Sequence, residues 1–202
     1  ETYKYIGIWW ELHTGKTAWA EKTQFGVPIT KPHGANTKNA KYHIDFAAEH
    51  GIPDVLIEGW DKGWDNMEGS WTGYGIFDWK TPTDDFDIKE VTDYGKKKGV
   101  RMMMYHETIS DIDHYEPAMD SLYKMCKDLG IKTVKVGYTG DVNYDYEKKT
   151  YRQHHHGQYM VRHYKKMVQK AAEYGLLIVN HEPIKFTGEH RTYPNLMARE
   201  GA

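Results

Sequence analysis

Five short apolar runs alternate along this chain with four amphipathic, helix-spaced stretches, and every helical stretch stops at a glycine. The runs KYIGIWWEL, PDVLIEGW, VRMMMYHET, IKTVKVGYTGD and LLIVNHEPI read as strands. The helical stretches NAKYHIDFAAEHG, TDDFDIKEVTDYGKKKG, HYEPAMDSLYKMCKDLG and GQYMVRHYKKMVQKAAEYG end at Gly51, Gly99, Gly130 and Gly175. Glycine suits the left-handed position that commonly ends a helix. In the first of them the helical spacing is carried by Tyr42, Phe46 and Ala47. Strand, helix, strand in repetition implies right-handed crossovers between parallel strands, so the fold class is α/β.

Two parallel architectures fit that rhythm. An open nucleotide-binding sheet carries a Gly-rich turn after its first strand. Here the first strand runs into WWELHTGKTAW, which has no G-x-G-x-x-G, and HTGKT lacks the upstream glycine of a phosphate loop. A (β/α)8 TIM barrel fits better, because every strand ends in polar residues: Glu11, Glu58, His106 with Glu107, Asp141, and His181 with Glu182. Barrel enzymes keep their chemistry at that end of the strands. Five strands are fewer than eight, and an open piece of a barrel exposes a strand edge. Residues 1–202 are therefore expected to form about the first five βα units of a larger catalytic domain.

Composition narrows the partners. With 27 Lys and Arg against 29 Asp and Glu, the net charge of −2 gives no electrostatic case for nucleic acid or an anionic membrane. No apolar run approaches the roughly 18 residues needed to cross a bilayer. The lysine runs GKKKG and EKKT read as solvated faces. The single cysteine, Cys126, cannot form an internal disulfide and reads as a small buried hydrophobe on a helix. All seven tryptophans fall at or before Trp79, several within EGWDKGWDNMEGSWTGYG. Their flat faces suit either the wall of a sugar site or the anchoring of long loops.

The chemistry-bearing feature is a repeated ending. The third and fifth strands both drive an apolar run into His-Glu, at His106-Glu107 and His181-Glu182. In a barrel, alternate strands contribute to one layer, so Glu107 and Glu182 can face one mouth. Paired carboxylates suit glycoside hydrolysis, where one activates water and another protonates the leaving oxygen. They equally suit a hard cation such as calcium, or the plain capping of neighbouring helices. Zinc on His106 and His181 is weakened by the lack of a His-x-His on the first strand and of a His on the fourth. The triplet His154-His155-His156 precedes a helix and reads as a polar lip.

EGWDKGW, FDWKTPTDDFD, MMMYHET, VKVGYTGD, HHHGQYMVRHY and VNHEPIKFTGEHRTYPNLMAREGA resemble, in this order, successive blocks of glycoside hydrolase family 97. That family holds calcium-dependent α-glucosidases and α-galactosidases. The resemblance covers nearly the whole chain, and HRTYPNLMAREGA is its most distinctive block. It implies that Glu107 and Glu182 are the water-activating pair, and that Ca2+ is held by Glu182 and Glu200. Sugar contacts fall on Trp10, Glu58, His106, Lys135 and His181. Retaining α-galactosidases of the family carry an Asp nucleophile at the end of the fourth strand. That position here is Gly137, which leaves room for a water, so the chain resembles the inverting branch.

The same resemblance implies that an N-terminal β-sandwich precedes these residues and that the general acid and the last barrel strands follow them. The expected partners are an oligosaccharide substrate of the maltooligosaccharide type and the remainder of the parent catalytic domain. Without that acid, which contributes roughly 10²–10⁴-fold, the isolated chain is expected to be inactive. The family also implies an extracytoplasmic location, periplasmic or secreted. The alternatives are a retaining α-galactosidase of the same family and a non-catalytic, sugar-binding half-barrel that assembles with a partner.

Overall fold

The computed structural model describes residues 3–23, 25–67, 75–138, 142–144, 152–186 and 188–200. The fold is α/β, a run of parallel βα units of the (β/α)8 class. The chain divides into two compact units, one of Glu1–Trp71, Ile76–Tyr105 and Leu129–Ile131, the other of Thr72–Gly75, His106–Asp128 and Lys132–Ala202.

The first unit holds β1 (Tyr5–Gly7), α1 (Trp9–His13), α2 (Thr37–Glu49), β2 (Asp54–Leu56), α3 (Trp64–Met67), α4 (Ile88–Lys98) and β3 (Arg101–Glu107) up to Tyr105. β1, β2 and β3 pair in parallel, with Val55 opposite both Ile6 and Met102. Arg101 grips the fully buried Asp54 carboxylate through Nε (2.9 Å) and an Nη (2.7 Å), a bidentate pair that fixes the start of both strands. Asn36 and Asp87 cap α2 and α4, each accepting from the backbone N–H three residues on at 2.8 Å. The helices pack on each other, and α4 ends at Gly99 in the left-handed region (φ 73°).

Two sequence expectations change here. KYIGIWWEL is not one strand: Tyr5–Gly7 is, but Trp9–His13 turns helical, so Glu11 lies on α1 rather than at a strand end. On α2 the buried face is Ala40, Ile44 and Ala47, while Tyr42 and Phe46 are exposed. The small residues let the helix sit close, and the aromatic rings take the outer positions. The tryptophans are mostly structural. Trp60, Trp64 and Trp79 are buried, Trp60 donates to the Tyr105 carbonyl (2.9 Å), and Trp19 stacks on Trp64. Trp71 lies outside the described residues.

The second unit takes the end of β3 and adds α5 (Ile112–Asp128), β4 (Thr133–Gly137), an antiparallel ribbon of β5 (Val142–Tyr144) and β6 (Arg152–His154), α6 (Gln158–Glu173), β7 (Leu177–His181), α7 (Glu189–Thr192) and β8 (Leu196–Glu200). β4, β7 and β8 are parallel and adjacent in that order. β8 is a sixth parallel strand where the sequence suggested five. Only Leu196 of LMARE is buried, so it carries neither an apolar run nor strict alternation.

The core of this unit is threaded by polar side chains that satisfy one another. His106, fully buried, bonds Tyr115 Oη through Nδ1 (2.9 Å), and Tyr115 meets Tyr123 at 3.3 Å. Tyr138 Oη bonds His163 Nε2 (2.8 Å), and His163 Nδ1 bonds Glu116 Oε1 (2.9 Å), linking β4, α6 and α5. Burial pushes the Cys126 thiol up to about 12, the environment of an inert packing cysteine.

Two measurements test this packing. Gly95 is buried in α4, and a Cβ there would lie 2.5 Å from the Val100 carbonyl oxygen and 3.6 Å from Ile44 Cδ1. Gly95→Ala, which stabilises an exposed helix by about 1 kcal/mol, is expected here to destabilise by roughly 1–3 kcal/mol through overpacking. A raised urea midpoint would show that the close approach yields freely. The second concerns acid. Burial holds His106 down at about 3, so unfolding takes up a proton between about pH 6.5 and pH 3. Burial alone would raise Glu116, but bonds from His163 and Lys166 carry it down to about 2. Both depressed groups contribute stability that is complete at neutral pH. The His106 share is lost as pH falls from 6.5 toward 3, the Glu116 share from 4.5 toward 2. Thermal midpoints are expected to drop steadily from pH 7 to pH 4, and a flat profile would contradict buried neutral histidines.

Candidate active site

The strand ends of the second unit gather most of the expected site. Glu107 closes β3 with its carboxylate turned back on the following turn, where Oε1 accepts the Ile109 N–H at 2.8 Å. That turn is strained. Ile109 (φ 46°) and Ser110 (φ 60°) are both left-handed, a conformation that a β-branched residue seldom adopts. It is pinned to the end of β4. Thr108 gives both its N–H (2.9 Å) and its hydroxyl (2.7 Å) to the Gly137 carbonyl, and Ser110 Oγ donates to the Tyr138 carbonyl (2.8 Å).

Glu182, just past β7, is held by the same short segment. Its Oε2 accepts the Tyr138 N–H at 2.8 Å, and its own φ is +39°. Thus the peptides of Gly137 and Tyr138 reach the turn after Glu107 with their carbonyls and Glu182 with an N–H. Both carboxylates also act on one neighbour. Burial, then Glu182 and Glu107, raise the Tyr164 hydroxyl well above its ordinary value.

His181, Lys135 and Glu200 complete the cluster. His181 Nδ1 lies 3.1 Å from Glu182 Oε2, and its Nε2 lies 3.7 Å from Glu200 Oε1. Lys135, on β4 and only 4% exposed, holds Glu200 Oε2 at 2.7 Å. Burial works to raise the Glu200 carboxyl, but Lys135 and then His181 keep it below its usual value. Burial lowers His181, and Glu182 and Glu200 counter it only in part. Glu182 and Glu200 thus stand on either side of one imidazole. Among the described residues no three His, Cys, Asp or Glu side chains come together as a metal-ligand set. Two carboxylates fall short of the roughly six to eight oxygens that calcium takes.

His106 lies in this unit too, and its Nε2 is buried with no hydrogen-bond partner among the described residues. Trp10 and Glu58 belong to the first unit, Trp10 exposed on α1 and Glu58 buried beyond β2. Asp61, three residues after Glu58, is fully buried. Burial pushes its carboxyl up to about 8, although Oδ1 accepts the Trp64 indole N–H (3.1 Å). Asp141 lies outside the described residues.

Three residues near Glu182 escaped the sequence reading. His155 is no polar lip: it is 3% exposed and donates through Nε2 to the Glu182 carbonyl at 2.5 Å, while His154 and His156 stay exposed. Tyr164, on the buried face of α6, donates to the same carbonyl at 2.7 Å. Asn180, beside His181, is buried with neither amide atom hydrogen-bonded among the described residues. Only the adjacency of Asn180 to the His-Glu ending could have flagged any of them.

Comparison with known proteins bears on this cluster. A glycoside hydrolase family 97 enzyme from Pseudoalteromonas sp. strain K8, solved in complex with acarbose, superimposes with a TM-score of 0.87 at 39% identity. The match covers 98% of this chain and 29% of that one. A glutamate-to-glutamine variant of a family 97 enzyme from the same strain, in complex with panose, matches equally well. A retaining α-galactosidase of Bacteroides thetaiotaomicron is 25% identical over 192 residues, and a probable retaining α-galactosidase of Streptomyces bingchenggensis is 25% identical over 173. The chain spans about a quarter of the length of these curated relatives, 25% and 23% respectively. The family model for glycoside hydrolase 97 matches residues 9–202. The chain belongs to glycoside hydrolase family 97.

Proposed function

We propose that these residues form part of a glycosidase that cleaves α-glucosidic bonds of maltooligosaccharides with inversion. In this reading Glu107 and Glu182 together activate the attacking water. The observation that carries it is the shared anchoring of both strand ends on Gly137 and Tyr138, which keeps two carboxylates at one end of the strands. Each accepts a backbone N–H, which fixes the direction of its carboxylate. At Gly137 the chain carries no side chain that could attack the anomeric carbon, so the space at the end of β4 is left to water. The acarbose and panose bound to the Pseudoalteromonas family 97 enzymes support a carbohydrate substrate for this reading.

Sugar hydroxyls in this reading meet His106, Lys135 and His181; Trp10 and Glu58, the other expected sugar contacts, lie in the first unit. His106 Nε2, without a hydrogen-bond partner among the described residues, supports its part. The setting of the parent protein in this reading is periplasmic or secreted. Calcium is assigned to Glu182 and Glu200, where it would supply positive charge beside the base. A cation there competes with Lys135 for Glu200 and needs further oxygen ligands besides these two carboxylates.

The names of the curated relatives favour a second reading, a retaining α-galactosidase. One experiment separates the two. In the natural full-length protein, an aryl α-glucoside is expected to release the β-anomer first by proton NMR, and Glu107→Gln to lower kcat by at least about 10²-fold. First release of the α-anomer, or turnover of α-galactosides alone, would favour retention. In the same protein Glu200→Gln is expected to weaken calcium binding by calorimetry about tenfold or more. Unchanged affinity would remove Glu200 from the ligand set.

A further inference from the structure

Glu182 occupies an unfavourable backbone conformation, and the means of holding it there are visible. A left-handed φ of +39° costs a residue with a side chain about 1–3 kcal/mol unless its surroundings over-determine it. Two side chains converge on its carbonyl oxygen: Tyr164 Oη at 2.7 Å and His155 Nε2 at 2.5 Å. Both are 3% exposed. Neither comes from β7. Tyr164 projects from the second turn of α6, and His155 from the short turn that leads into that helix. No hydrogen bond from either to the carboxylate is seen among the described residues; they act on the peptide, and Tyr138 N–H acts on Oε2. The backbone torsions at residue 182 set where its Cβ points. Fixing the peptide at one side and Oε2 at the other therefore leaves the carboxylate a single direction.

We propose that Tyr164 and His155 are positioning residues for Glu182: by jointly donating to its carbonyl oxygen they hold it in the left-handed turn that aims its carboxylate at the attacking water. This rests on the reading of Glu182 as half of the water-activating pair. It gives the second histidine of the HHH triplet a task that a surface lip does not have. It also makes α6 part of the site's mechanism through Tyr164. His155 must carry its proton on Nε2, because a carbonyl oxygen can only accept.

The test uses the natural full-length protein, with kinetics on an aryl α-glucoside and thermal midpoints measured side by side. Tyr164→Phe and His155→Leu are each expected to lower kcat roughly tenfold, and together roughly 10²-fold, as misplacement of a catalytic group does. KM and the midpoint should stay close to wild type. His155→Gln, whose amide can donate to the same carbonyl, should recover most of the loss. Wild-type kcat in the double variant overturns the proposal. So does a loss that tracks a fallen midpoint and is not recovered by His155→Gln. Glu182→Gln, measured alongside, separates the two layers. If it keeps wild-type kcat, the reading of Glu182 as base fails and the proposal falls with it. If it is inactive while the clamp variants are unaffected, only the clamp is wrong.

Discussion

The two-residue end of β4 is the joint on which the candidate site depends. A peptide group has one donor and one acceptor with two lone pairs, and buried ones need partners. Gly137 and Tyr138 meet that need by tying the turn after Glu107 to their carbonyls and the Glu182 carboxylate to an N–H. The parallel ladder of β4 and β7 sets the register, with Val136 opposite Asn180, so the two strand ends arrive level. Strain at Ile109, Ser110 and Glu182 is then borne by side-chain hydrogen bonds rather than by glycines. Left-handed residues without glycine cluster where a site over-determines its backbone, and here three of them flank two carboxylates.

Charge is distributed with the same economy. Lys135 is nearly buried and faces Glu200, His181 sits between Glu200 and Glu182, and burial keeps that imidazole's pKa low. Lys135 therefore offsets Glu200, and with His181 neutral the acidic groups of the cluster outnumber its cations. The first unit uses burial in the opposite sense: Asp61 is kept protonated through neutral pH, so its environment adds no net charge near the tryptophans.

Much of this was legible in the sequence because it follows from periodicity and from chain stops. The α/β class, four of the helices and the polar strand ends all came from apolar runs, helical spacing and terminal glycines. The His-Glu endings drew attention to Glu107 and Glu182 for the same reason. What escaped depends on contacts distant in sequence. KYIGIWWEL is apolar enough for a strand, yet Ile8 begins a helical turn at the Trp pair. LMARE pairs with β7 through its backbone, which composition does not reveal. His155 looked like one of three equivalent histidines, and only the fold turns it inward while its neighbours stay wet.

Tyr138 has one further consequence. Its peptide serves the carboxylate while its ring is fully buried, with the hydroxyl against His163 and the Met167 sulfur of α6. Helix packing and the placement of the Glu182 carboxylate thus meet in a single residue. A change that merely repacks the inner face of α6 is transmitted to the strand end through a rigid aromatic lever. A change at such a position can therefore disturb the Glu182 carboxylate from a distance, and sites of that kind look like ordinary core.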